Sequence, residues 1–90
     1  MHIYAVCGMG IGTSVLLKMN AEKALTQMGF EAIVIATDIS TAKQDESKAQ
    51  IILTTPELVD QLSGIRAEIV SIENVFDLGE LTEKLTKSLL

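Results

Sequence analysis

The sequence predicts an α/β fold, a three-layer sandwich with a four-stranded parallel sheet in the order 2-1-3-4 and helices on both faces. Three observations carry that expectation. Short apolar runs, rich in β-branched residues, alternate four times with segments of helical spacing, the pattern of successive strand–helix crossovers. The first run, Ile3 to Val6, is continuous rather than alternating, which suits a strand covered on both faces. Between it and the first helical run stands Cys7-Gly8-Met9-Gly10-Ile11-Gly12-Thr13-Ser14, a thiol, three alternating glycines and two hydroxyls at a strand-to-helix turn.

Each element follows from local pattern. The first helix is expected from about Ser14 to Met28, with Leu17, Ala21, Ala24, Leu25 and Met28 forming a buried stripe and Gly29 a stop. Met19 and Met28 read as core filler. Ala32 to Ala36 is the second strand and ends in the polar stretch Thr37 to Ser40. Lys43 to Lys48, with alternating charges and no apolar spacing, reads as a short solvated helix or loop. Ile51 to Leu53 is the third strand, followed by a short helix with Thr55 as its cap and Pro56 in its first position, ending near Ser63-Gly64. Glu68 to Ile72 is the fourth strand. Asn74 or Asp77 would cap a last helix whose Leu78, Leu81, Leu85 and Leu89 share one face, with Glu80 and Glu83 early and Lys84 and Lys87 late.

Ninety residues are enough for one domain, residues 1–90, with one core. Although 48% of the residues are hydrophobic, no apolar run nears the roughly 18 to 20 residues of a membrane span. Nor does the N-terminus have the pattern of a secretory leader, so a cytoplasmic location is expected. One cysteine allows no internal disulfide, and one histidine no zinc cluster, so neither metal nor cofactor is expected. The net charge of −5, without a basic stripe or interleaved aromatics, argues against nucleic acid. The acid is unevenly spread. Residues 1–30 carry only Lys18, Lys23 and Glu22, so the part bearing the glycine loop is mildly basic, as an anion site would prefer.

The loop has a chemistry of its own. A helix start offers backbone N–H groups and partial positive charge, and glycines let the chain curl around a phosphate. A thiol in that field is expected to ionise near neutral pH and act as a nucleophile, which makes Cys7 the first catalytic candidate. Gly8, Met9, Gly10, Ile11, Gly12, Thr13 and Ser14 are the candidate phosphate cradle, with Thr13 open between phosphate ligand and helix cap. In the expected sheet, ligands bind where strand order reverses, between strands one and three, so Thr54 and Thr55 would neighbour Cys7. Thr37, Asp38 and Asn74 lie on the same edge as further surroundings or a docking rim.

Competing patterns fit less well. Gly8 to Gly12 is not G-x-G-x-x-G, and no Gly-Lys-Ser/Thr occurs. The spacing Cys7-x5-Thr13-Ser14 is similar to the phosphate loop of low-molecular-weight tyrosine phosphatases, which have arginine where Thr13 stands. Without that bidentate clamp, and without an evident acid for a leaving phenol, hydrolysis would be poor.

The stretch Ala5 to Ser14, continued by Leu17-Lys18-Met19-Asn20, Glu22-Lys23, Thr37 to Ser40 and Ile51 to Thr54, resembles the enzyme IIB component of the sugar phosphotransferase system, in its ascorbate and galactitol group and on the ascorbate-type branch. The likeness covers essentially the whole chain. It implies a phosphoryl relay, in which Cys7 accepts phosphate from a phosphohistidine of a IIA protein and passes it to a sugar or ascorbate bound by a membrane IIC protein. By that implication the chain would sit at the inner face of the membrane through IIC without entering it. Two other classes stay open beside it, a phosphatase or arsenate-reductase-like enzyme and a regulatory module of the response-regulator kind. The regulatory module would need an acidic, magnesium-binding strand end where this chain has Cys7 and Gly8. Met9 and Ile11, apolar on a polar loop, are expected to touch IIA and IIC. Lys18 is either solvated or an attractor of a phosphorylated partner, and His2 is expected at the surface.

Overall fold

In the computed structural model, strands β1 (His2–Val6), β2 (Ile33–Thr37), β3 (Ile51–Thr54) and β4 (Glu68–Ser71) form one sheet in the order β2-β1-β3-β4, every pair parallel. The structure describes residues 1–7, 11–45, 48–62 and 64–89, and of Ile11 only the backbone. Order explains burial. The two central strands, β1 and β3, are buried nearly end to end, whereas β2 at one edge leaves Ile33 and Ile35 outward. This matches the expectation from the continuous apolar runs.

Helices α1 (Ile11–Met28) and α3 (Leu78–Leu89) cover one face. Beneath them Ile3, Ala5, Cys7, Leu53 and Val70 meet Leu17, Ala21, Leu25, Leu81 and Leu85. The other face is covered more thinly by α2 (Ile39–Gln44) and two short 3₁₀ turns, Pro56–Leu58 and Asp60–Leu62, which bury Tyr4, Val6 and Ile52 against Ala42, Leu58 and Leu62. The result is three layers, as expected.

The differences from the sequence reading have physical causes. Helix α1 starts at Ile11, three residues before the expected Ser14, because its first turn recruits the end of the glycine octet. Gly29, at φ 80°, ends it as expected, with Phe30 N–H donating to the Leu25 carbonyl at 3.0 Å and Gly29 N–H to Thr26 at 3.1 Å. Met28 packs against the core, but Met19 is 49% exposed. It lies two residues from both Leu17 and Ala21, and so on the far side of the helix from the buried stripe.

Helix α2 begins earlier than the charged segment that hinted at it. The polar stretch after β2 is its start, since Asp38 is the N-cap and accepts from Thr41 N–H at 2.7 Å. That bond to the Thr41 backbone holds the Asp38 carboxyl below its ordinary range. The expected helix after β3 is replaced by the two 3₁₀ turns. Pro56 takes its first position, but the Thr55 hydroxyl makes no capping bond and instead donates to the Glu57 carboxylate at 2.7 Å. Of the two caps offered for α3, Asp77 serves, accepting from Glu80 N–H at 3.1 Å, while the Asn74 side chain accepts from Phe76 N–H.

Candidate functional site

The parallel order puts the chain segments that follow all four strands on one edge of the sheet, and Cys7 stands there at the end of β1. The pairing Val6 with Thr37 brings the end of β2 alongside, and β3 reaches the same edge at Thr54. Helix α1 starts over this edge with no acidic residue in its first turn. The helix dipole is therefore not opposed by a carboxylate of its own first turn, which favours an anion. Gly8, Met9 and Gly10 lie outside the described residues, as does the Ile11 side chain, and with them the middle of the expected cradle and the two expected partner contacts.

Two recesses flank the first turn of α1. One, of about 320 Å³, is lined by Cys7, Ser14, Ala36, Thr37 and Asp38. Cys7 and Ser14 are both buried, at 9% and 2% exposure, so the thiol and the second hydroxyl of the octet open onto the same small space. The other, of about 340 Å³, contains Thr13, Thr55, Glu57 and the loop from Glu73 to Phe76. Thr13 and Ser14, adjacent in sequence, thus face different recesses. Thr13 is the third residue of the helix and so is not its cap, which removes that reading of its hydroxyl.

The remaining candidates divide. Asp38 shares the Cys7 recess but spends its carboxylate on the α2 cap. Thr55 lies on the Thr13 side and orients Glu57. Thr54 is fully buried, and its Oγ1 finds no hydrogen-bond partner among the described residues. Strand alternation puts it with Ile52 on the face opposite Cys7, so it backs the edge rather than joining the thiol. Replacing an unpaired buried hydroxyl with an isosteric methyl removes a desolvation cost, so Thr54→Val is expected to raise unfolding stability by about 1 kcal/mol in urea titrations. His2 is exposed at the opposite strand end, its backbone N–H donating to the Gln50 side chain at 2.7 Å. Lys18 stands 4.0 Å from Glu22 on the solvent side of α1, and the pair contributes little.

The thiol's electrostatics depart from the expectation of a ready thiolate. Burial pushes the Cys7 pKa up from the ordinary thiol value, and the Glu57 carboxylate pushes it further the same way. Glu57 itself is held ionised, chiefly by the Thr55 hydroxyl bond. Sequence reasoning missed Glu57; the alternation of Thr55 and Glu57 around Pro56 was the available signal. Because a raised acidic pKa means less thiolate at a given pH, alkylation of Cys7 by iodoacetamide should turn on only above the pH at which a free cysteine peptide reacts. Glu57→Gln removes one of the two causes and should speed alkylation at about pH 8, where thiolate fraction limits the rate. An unchanged rate would show that burial alone sets the thiol.

Among the described residues no three His, Cys, Asp or Glu side chains cluster as metal ligands, and no helix is long and apolar enough to cross a membrane.

Comparison with known proteins agrees with this layout. Residues 2–87 match the family model described as PTS system, Lactose/Cellobiose specific IIB subunit. A protein of Mycoplasma pneumoniae named as the ascorbate-specific PTS system EIIB component is 36% identical over 90 residues, covering 99% of this chain and 95% of that protein. One of the same name from Shigella dysenteriae is 28% identical over 96% of this chain and 86% of its own length. The lactose-specific IIB domain of Streptococcus pneumoniae superposes with a TM-score of 0.64 at 17% identity, over 99% of this chain and 90% of that one, a likeness of fold. With the family model spanning nearly the whole chain and a 36% identical relative matched almost end to end, the chain belongs to the IIB subunits of the sugar phosphotransferase system.

Proposed function

We propose that this chain is the phosphoryl-relay subunit of an ascorbate-type phosphotransferase system, with Cys7 as the residue that carries the phosphoryl group. The observation that carries the reading is the meeting of Cys7 and Ser14 in one recess at the start of a helix without an acidic first turn. In the first step the phosphorus–nitrogen bond of a IIA phosphohistidine breaks and a sulfur–phosphorus bond forms at Cys7, and the thiol proton passes to the departing imidazole. In the second, a substrate hydroxyl held by the IIC protein takes the phosphoryl group and its proton returns to sulfur. Gly8 to Ser14 would hold the phosphoryl oxygens, through backbone N–H groups and the Thr13 and Ser14 hydroxyls. The chain works on the cytoplasmic side, joined to the membrane through IIC, and needs no cofactor. Ascorbate as substrate rests on the names of the relatives alone.

A raised thiol pKa suits this exchange. The imidazole leaves as the thiol attacks, so nucleophile and proton acceptor arrive together and no standing thiolate is required. The same electrostatics weigh against the phosphatase or arsenate-reductase-like reading, which needs a free thiolate and an acid for the leaving group. Asp38, the carboxyl in the Cys7 recess, is held ionised by its capping bond and is a poor proton donor. Incubation with phosphoenolpyruvate, the general phosphotransferase proteins and cognate IIA, followed by peptide mass spectrometry, should locate one phosphoryl group on Cys7. A group found on His2 or on a serine, with Cys7 unmodified, would overturn the assignment.

A further inference from the structure

Phe76 is 74% exposed, the most exposed large apolar side chain among the described residues, and it lies at the edge of the sheet that carries Cys7. The loop that presents it is tied down on every side. The Glu80 carboxylate accepts from Glu73 N–H at 2.8 Å and Asn74 N–H at 3.0 Å, Asn20 on α1 donates to the Val75 carbonyl at 2.6 Å, and Asn74 accepts from Phe76 N–H at 3.0 Å. The phenyl ring is thus held in water by a fixed frame. A fixed apolar anchor costs little further ordering when something covers it.

The groove beside it is acidic. Glu57 and Glu73 line it with Thr13 and Thr55, and among the described residues no basic side chain does. Lys84, on the neighbouring helix, is engaged by Glu80 at 3.0 Å and by the Ser71 carbonyl. A phosphoryl dianion brought to Cys7 therefore passes Glu57 and Glu73 on one side of α1 and Asp38 on the other, all three repelling it. A protein that delivers such a group has to bring its own cations.

We propose that the groove between Phe76 and Thr13 seats the phosphorylated IIA donor, which covers Phe76 with an apolar surface and sets at least one basic side chain against Glu57 and Glu73. The inference rests on the relay reading and deepens it by assigning the donor's footprint. Thr13 in the groove adjoins Ser14 in the Cys7 recess, so a donor seated there reaches the thiol across the first turn of α1. The cationic contact also neutralises Glu57 as the donor docks. Docking then removes the carboxylate field that otherwise disfavours negative charge on Cys7.

The test measures transfer from phosphorylated cognate IIA to the full chain, as initial rates against donor concentration, for wild type, Phe76→Ala and Glu73→Lys. Both side chains are exposed, and circular dichroism checks that the fold is kept. The KM for donor is expected to rise about tenfold in Phe76→Ala, as for a buried interface anchor. In Glu73→Lys the KM should also rise and its dependence on salt should flatten, with kcat unchanged in both. Onward transfer from phosphorylated variants to membranes containing the IIC protein should match wild type. Unchanged KM in both variants, a loss confined to kcat, or a defect appearing only in transfer to IIC would overturn the donor assignment. Wild type that takes no phosphoryl group from IIA would instead remove the relay reading beneath it.

Discussion

Cys7→Ser is expected to reduce phosphoryl transfer from IIA to substrate by at least about 10³-fold, because in the proposed relay both half-reactions run through sulfur. A serine hydroxyl is a far weaker nucleophile than a thiol near neutral pH, and the structure holds no histidine beside position 7 to activate it, since His2 is at the far end of β1. Any phosphoserine that formed would be a stable ester and would not pass its phosphoryl group on. The substitution is nearly isosteric, and a buried hydroxyl costs on the order of 1 kcal/mol, so the domain should remain folded. The check is the initial rate of substrate phosphorylation with IIA, IIC-containing membranes and an excess of the variant. A rate within tenfold of wild type would mean that the phosphoryl group travels through another residue.

The fold was legible in this sequence because its signals are local. Continuous apolar runs at Ile3 to Val6 and Ile51 to Leu53 marked the central strands, the leucine spacing from Leu78 marked α3, and Gly29 marked a helix end that only a positive φ can make. Cys7, Ser14 and Asp38 were legible as neighbours for the same reason, since each follows a strand or opens a helix at one sheet edge. What local pattern could not carry was the orientation of side chains around that edge. Thr54 and Thr55 were paired with Cys7 by topology, yet strand alternation turns Thr54 to the opposite face and the 3₁₀ turn spends Thr55 on Glu57. The ionisation of Cys7 depends on burial and on a carboxylate fifty residues away in sequence. Helix-dipole reasoning alone pointed to a thiolate, and desolvation with Glu57 opposes it. Phe76 had no sequence signal separating it from a core aromatic, because its exposure comes from Glu80 and Asn20 holding its loop.

Leu17→Ala is expected to cost about 2–5 kcal/mol of unfolding free energy, a large share of the roughly 5–15 kcal/mol that holds a small domain folded. Leu17 is fully buried one turn beyond Ser14, packed in the core cluster that also contains Cys7, Ala5 and Leu53. Its removal leaves a void directly under the start of α1, and dispersion contacts that fix the helix against the sheet are lost with it. The N-terminal turn that carries Thr13 and Ser14 is then free to settle toward the void. A displacement near 1 Å at a transfer site costs on the order of 10²-fold in rate, so Leu17→Ala should lose transfer activity even at temperatures where it is fully folded. Leu85→Ala separates the two effects. Leu85 is equally buried in the same cluster but lies two turns into α3, away from the edge that carries Cys7, so it should lose similar stability and keep near-normal transfer. Urea titration of both variants, with transfer rates measured well below their melting temperatures, checks the pair. Equal losses of activity would show that the site responds to global stability rather than to the seating of α1.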